Sequence, residues 1–361
     1  MIQEATELVA VRGEVRRILQ RKVTDSAAAG SPPGRHTLQK RLLSALTLSL
    51  LLLCAVTTGA RAESTQSITL HPGWNAVYLE VQPALRTPGI VFQNLPVESV
   101  WTWYDRGTSV EFIRNPSEGL WAQPGWSVYA KSPDKAAANN LFAVFANRAY
   151  LIKLGGGQNV TWTVTGTAAT DRTVWTPNSF NPTGFHVNPV NSPTLDAYLS
   201  PSPSHKGQQV YRLTPQGAWE LIASPTTTPI ASGTAYWVYC NGTSSYQGPV
   251  NVQILGSALD YGASSVMSSL TLSNVSPAAR TVTLKFQPAA DWFTYQNFNA
   301  GTGFYEYLRL DSKTVQLPVG RQSNIWLAVR RELLTTGFYQ GTLEVTDDAG
   351  SRFRIPVSAS K

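Results

Sequence analysis

From residue 63 onward, apolar residues recur at every second position in short runs and almost never at helical spacing. In GWNAVYLEVQPA (73–84), Val77, Leu79 and Val81 alternate with Tyr78 and Glu80. Val160, Trp162 and Val164 alternate with Thr161, Thr163 and Thr165 up to Gly166. Period-two runs rich in β-branched and aromatic residues predict half-buried strands, and the Gly, Pro, Asn and Ser clusters between them predict turns. Helical pattern is confined to residues 134–145 and 194–199, a turn or two each. The fold class this predicts is all-β.

The pattern repeats. Setting Trp74 over Phe180, an offset of 106, aligns Asn75, Val81 and Pro83 with Asn181, Val187 and Pro189. Val100-Trp101-Thr102-Trp103 then meets Val210-Tyr211-Arg212-Leu213, and Val110-Glu111-Phe112-Ile113 meets Trp219-Glu220-Leu221-Ile222. Arg148-Ala149-Tyr150-Leu151-Ile152 meets Thr234-Ala235-Tyr236-Trp237-Val238. Finally residues 160–166 meet residues 250–256. Five blocks in one order indicate an internal duplication.

A G-W-N strand opening at Gly73-Trp74-Asn75, a Val100-Trp101-Thr102-Trp103 hairpin and the Ala235-Tyr236-Trp237-Val238-Tyr239 strand resemble a β-rich module found in tandem in secreted or surface proteins of environmental bacteria. The resemblance covers residues 66–256 and implies architecture and a cell-surface setting, with no catalytic residue. The second copy departs from it, with Phe180-Asn181 in place of Trp-Asn. After residue 264, strands are predicted at 266–272, 281–286, 305–310, 314–317, 323–329, 341–346 and 351–357, a β-sandwich pattern. The run Leu334-Thr335-Thr336-Gly337-Phe338-Tyr339 resembles the tyrosine corner of bacterial immunoglobulin-like domains, which implies that Tyr339 returns its hydroxyl to nearby backbone. The expected organisation is an N-terminal extension with signal peptide (1–62), two homologous small β-modules (63–166 and 173–256) and an immunoglobulin-like β-sandwich (264–361). Asp347-Asp348-Ala349-Gly350 reads as its last hairpin turn.

Lys40 and Arg41 precede an apolar run at residues 42–56, and Ala60-Arg61-Ala62 supplies small residues at the two positions a signal peptidase reads. Cleavage is expected before Glu63, leaving a chain that is secreted, periplasmic or on the cell surface and has no membrane segment. Trimming also changes the charge. Nine of the 29 Lys and Arg and four of the 22 Asp and Glu precede Glu63, so the remainder carries 20 cations against 18 anions. A nucleic-acid face needs clustered cations, and none remains, so nucleic acid is excluded as a partner. Cys240 is then the single thiol, read as a small buried filler rather than a nucleophile. His71, His186 and His205 show no metal-ligand spacing. No metal or cofactor is expected.

All 11 tryptophans lie in the part after residue 62. An indole is either a stacking platform for a sugar or a large buried body. Where the copies align, Trp74 pairs with Phe180, Trp101 with Tyr211, Trp103 with Leu213, Trp162 with Val252, Trp219 with Val110 and Trp237 with Leu151. Interchange with other apolar residues favours packing. Trp121, Trp126 and Trp175 lack counterparts and fall in connections, so they are the candidate ligand-binding residues. Trp292 is expected in a loop of the third unit, and Trp326 faces away from Ile325 and Leu327.

No pair of carboxylates, serine elbow or phosphate loop stands out. No catalytic residue is assigned, and the chain is expected not to be an enzyme. The expected function is a structural or adhesive surface protein acting through repeated β-modules, with surface glycans or other surface proteins as partners. The alternative is a carbohydrate-binding protein that uses loop aromatics.

Overall fold

The computed structural model describes residues 63–104, 125–214, 216–335 and 337–361; residues 1–62, where a signal peptide is expected, the block 110–113 and Trp121 lie outside them. The fold is all-β, and its strands assemble into five sheets among the described residues.

The first module contains β1 (Glu63–Leu70), β2 (Gly73–Leu79), β3 (Val81–Pro83), helix α1 (Pro88–Val91), β4 (Val97–Trp103), β5 (Trp126–Ala130), β6 (Arg148–Leu154) and β7 (Val160–Ala168). They form two layers, β1-β7-β3 and β2-β6-β4-β5. The inward residues of the two layers, among them Leu70, Trp162 and Val164 from one and Val77, Val100, Tyr150 and Ile152 from the other, make one core. Trp162 lies 5.0 Å from the Phe92 ring, centroid to centroid. Residue 166 must be glycine for β3 to close, since a Cβ there would sit 1.9 Å from the Gln82 carbonyl oxygen.

The second module contains β8 (Ser179–Thr183), helix α2 (Leu195–Leu199), β9 (Val210–Leu213), β10 (Trp219–Leu221) and β11 (Tyr236–Cys240). Its sheet order, β10-β9-β11-β8, reproduces β5-β4-β6-β2. The polar residues that recur between copies act as clamps. The Asn75 side chain accepts from His71 N–H and donates to His71 O, both at 2.8 Å. Asn181 does the same to Thr176, at 2.7 and 3.1 Å. The Tyr150 hydroxyl accepts from Phe145 N–H at 2.8 Å, and the Tyr236 hydroxyl accepts from Ala231 N–H at 2.9 Å. Each clamp satisfies backbone groups that a turn leaves without a ladder partner.

Two details depart from the aligned blocks. The strand beside β4 is β5, so Trp126 opposite Trp103 holds the place of Trp219 opposite Leu213. Trp126 is thus a strand residue with a counterpart. The fifth block also diverges. β7 closes the first module, whereas β12 (Val250–Ile254) pairs with the strand Met267–Asn274 of the third unit. Alternation predicts a strand there, but it does not say which edge the strand will join.

The third unit adds β13 (Leu259–Asp260), β14 (Met267–Asn274), β15 (Arg280–Gln287), β16 (Phe293–Asn299), β17 (Phe304–Arg309), β18 (Lys313–Leu317), β19 (Gln322–Val329), β20 (Phe338–Asp347) and β21 (Arg352–Ser360). They form a two-sheet sandwich, β12-β14-β19-β16-β17 over β13-β21-β20-β15-β18. The predicted strands are all present; β13 and β16 are additional, and Trp292 lies in a turn, as expected, with its ring buried in the core. The Tyr339 hydroxyl accepts from Thr335 N–H at 2.9 Å, as the tyrosine-corner resemblance implies. Asp347 accepts from Ala349 and Ser351 N–H groups at 3.0 and 2.8 Å, which makes 347–350 a turn.

Candidate functional site

The two copies meet through matched segments. Tyr78 N–H donates to Gly233 O at 2.8 Å, and Ala235 N–H donates to Ala76 O at 3.1 Å. Tyr78 is buried against Gly184, the residue that aligns with it; a Cβ on Gly184 would lie 2.2 Å from the Tyr78 ring. One copy supplies the ring and the other supplies the space. Glu80 and His186 are likewise aligned, and His186 Nδ1 stands 3.9 Å from Glu80 Oε2. The contact is a diverged version of a self-complementary, two-fold arrangement.

Glu80 is 2% exposed. A lone buried carboxylate is costly, so it must be paired. The third unit supplies Arg352 Nη2 at 3.2 Å and Arg354 Nη2 at 3.4 Å, and Ser232 of the second module donates at 3.2 Å. His186 Nε2 lies 2.8 Å from Asn147 Oδ1, which also accepts from the Tyr78 hydroxyl, so Nε2 carries the proton. Burial holds the His186 pKa below its ordinary value despite Glu80, so the ring is neutral. Burial also lowers the Arg354 pKa, with Glu80 opposing the shift. The third unit is anchored further at the tip of its last hairpin. There Arg352 N–H donates to His186 O at 3.0 Å, and Asn188 N–H donates to Gly350 O at 2.8 Å. Gly350 has φ +93°, and a Cβ would lie 2.0 Å from Asn191 O. All three units therefore converge on Glu80.

A seam of indoles continues the contact between copies. Trp103 lies 5.6 Å from Trp126 and 6.5 Å from Trp237, and Trp219 lies 6.0 Å from Trp237, all edge-on. Trp74 sits under the turn at Gly217. Among the aligned rings, Trp162 packs inside its own module. Trp103 and Trp237 meet across the boundary between copies, so each packs against the other module as well as against its own.

Of the three candidate ligand residues, Trp126 is half-buried in this seam and Trp121 lies outside the described residues. Trp175 is only 7% exposed. Its Nε1 donates to Tyr246 O at 2.7 Å, and the His205 ring stands 4.0 Å away, edge-on. Trp175 is a core residue of the second module, and its ring offers no open stacking face.

Open rings occur elsewhere. On the outward face of the third unit, Phe298, Tyr305, Tyr307 and Trp326 are all exposed, Tyr305 by 65%. Cross-strand register places Phe298 opposite Tyr305 and Gln296 opposite Tyr307, and Gln296 Nε2 donates to the Tyr307 hydroxyl at 3.3 Å. Only Trp326 was legible in sequence, from its alternation with Ile325 and Leu327. Strand β16 was hidden because Thr-Tyr-Gln-Asn-Phe-Asn mixes polar and aromatic residues on both faces.

A second feature is a cavity of about 370 Å³ where Arg172, Trp175, His186, Tyr246, Phe353 and Arg354 approach one another. Neither aromatic region brings a nucleophile and a base together.

The molecule is thus an all-β protein with two copies of one sheet and a β-sandwich. No family model and no curated protein matches the chain. Solved structures similar to parts of it include a PapD-like domain of human CEP192, at 11% identity over 31% of this chain and 84% of that one, TM-score 0.21. The VesB protease of Vibrio cholerae aligns at 12% identity over 82% and 99%, TM-score 0.23. A bacterial ice-binding adhesin aligns at 14% identity over 82% and 90%, TM-score 0.15. At such scores none of them bears on the function of this chain.

Proposed function

We propose that the protein is an exported, non-enzymatic surface component that acts as a rigid structural or adhesive scaffold. The observation that carries this reading is the convergence of all three units on buried Glu80, which fixes their relative positions while an aromatic face of the third unit stays open. A rigid body that presents a fixed face loses little conformational freedom on contact. Beads coated with the protein should be retained on cells or extracellular matrix without releasing any product. Beads retained on no surface, together with turnover of any glycan or peptide in solution, would remove this reading.

The exposed rings support a second reading, that the contacted material is carbohydrate, because a sugar's C–H face packs on an aromatic ring. This moves the expected platform from the loop aromatics to Trp326, Tyr305 and Tyr307. Retention on a polysaccharide that is lost in Trp326→Ala and Tyr305→Ala supports it. Equal retention of the variants and the parent protein counts against it.

A further inference from the structure

We infer that the free edge of β17 is a homodimer interface, at which a second copy of this chain adds its own β17 antiparallel across a two-fold axis. β17 ends its sheet, with β16 as its inner neighbour. Just past the pair Thr294↔Arg309, Leu310 N–H donates to Phe293 O at 3.1 Å. Hydrogen-bonded and non-bonded pairs alternate along an antiparallel ladder. Leu308, Glu306 and Phe304 therefore turn their backbone groups towards β16, and Tyr305, Tyr307 and Arg309 turn theirs outwards. The next pairing agrees: Arg330 N–H donates to Trp292 O at 2.8 Å, which aims Thr294 at β19 and leaves Phe293 and Tyr295 for β17.

Proteins commonly blunt such edges, and the edge strand β5 is blunted. There the Asn139 and Asn140 side chains accept from Ala130 and Val128 N–H, each at 2.6 Å. β17 has no such cap among the described residues, and its sequence, FYEYLR, carries neither Pro nor Lys. Its apolar side chains are also open on both faces. Tyr305 and Tyr307 point outward; Leu308, opposite core-packed Tyr295, and Phe304 point inward, yet Phe304 is 74% exposed. The second sheet stops short of them.

The edge is complementary to itself. A two-fold axis normal to the sheet sets outward residues against outward residues. With Tyr307 on that axis, Tyr305 faces the partner's Arg309 and Glu306 faces the partner's Leu308. Each outward residue then exchanges both backbone hydrogen bonds, six in all. Tyrosine opposite guanidinium is a favourable pair, and the inner-face Phe304 and Leu308 meet their counterparts diagonally. Sliding each strand by one residue leaves four bonds, and one of the two slides sets Glu306 against itself. The two outward faces merge into one, so two sets of open rings act from a single particle, which favours avidity.

Sedimentation equilibrium of the full protein from about 1 to about 200 μM tests this, the range in which modest interfaces associate. The mass should double across it. Tyr307→Pro removes an outward N–H that pairing with β16 does not use, and should weaken the dimer at least tenfold. Leu308→Glu sets a carboxylate opposite the partner's Glu306 and should weaken it as much. Leu308→Lys makes an ion pair there and should associate at least as tightly as the parent. Leu308 is exposed, so both of its variants should melt at the parent temperature at the lowest concentration. A monomer at every concentration, parent-like association of Tyr307→Pro, or equal effects of Leu308→Glu and Leu308→Lys each overturns the assignment.

Discussion

The two copies share one four-stranded sheet and differ in what covers it. The first is a closed sandwich, in which Trp162 fills the space between two layers. The second gave up its covering layer, and Trp175, Tyr246 and the third unit take that role. A duplicated sheet can therefore keep its clamps, the Asn75/Asn181 and Tyr150/Tyr236 pairs, while everything packed against it changes. The inward face is held by backbone satisfaction, and the outer contacts are free to diverge.

The largest effect is expected where the units converge. Glu80→Gln leaves two half-buried guanidiniums without their buried counter-charge and should cost about 3 kcal/mol. Chemical denaturation reads this, and the loss should appear in all three units together. Truncating each module's core ring separates the copies. Trp162→Ala and Trp175→Ala should each cost about 3–5 kcal/mol. Only the second should raise protease cleavage around α2, because its indole also ties down Tyr246.

Acidification should distinguish the modules next. His205 is 1% exposed beside Trp175, and neither ring nitrogen has a hydrogen-bond partner among the described residues. Burial holds its pKa down at about 4, below the roughly 6.5 of an unfolded histidine. The unfolded chain therefore takes up the proton first. His205's contribution is complete above about pH 6.5, declines as pH falls towards 4, and is lost below that. The loss is up to about 3 kcal/mol. His205→Phe should flatten this part of the stability profile. A smaller effect is expected at the clamps: Asn75→Ala and Asn181→Ala should each cost about 1–2 kcal/mol, by similar amounts in the two copies.

Much of this was legible in the chain. Alternation located most strands, and alignment of the copies put Asn75 over Asn181 and Tyr150 over Tyr236. The same alignment put Glu80 over His186 and Tyr78 over Gly184, a signal that was present but unused, because aligned residues are not ordinarily neighbours. Three features stayed hidden for physical reasons. Trp126 aligned with nothing because its strand follows a longer connection than Trp219 does. The fifth block reads as a strand in both copies, yet which edge a strand joins depends on what else is available to pair with it. The loop aromatic Trp175 looked exposed because local sequence does not record that the second module lacks a covering sheet.

The central claim is that the copies meet through matched positions that diverged as partners, and a double-mutant cycle on Tyr78 and Gly184 tests it most directly. Gly184→Ala alone should destabilise by about 1–3 kcal/mol, because the added methyl meets the Tyr78 ring. In the Tyr78→Ala background the same change should cost little, giving a coupling of about 1 kcal/mol or more. Costs that simply add would mean that these residues do not face each other, and the account of the duplicated interface would be wrong.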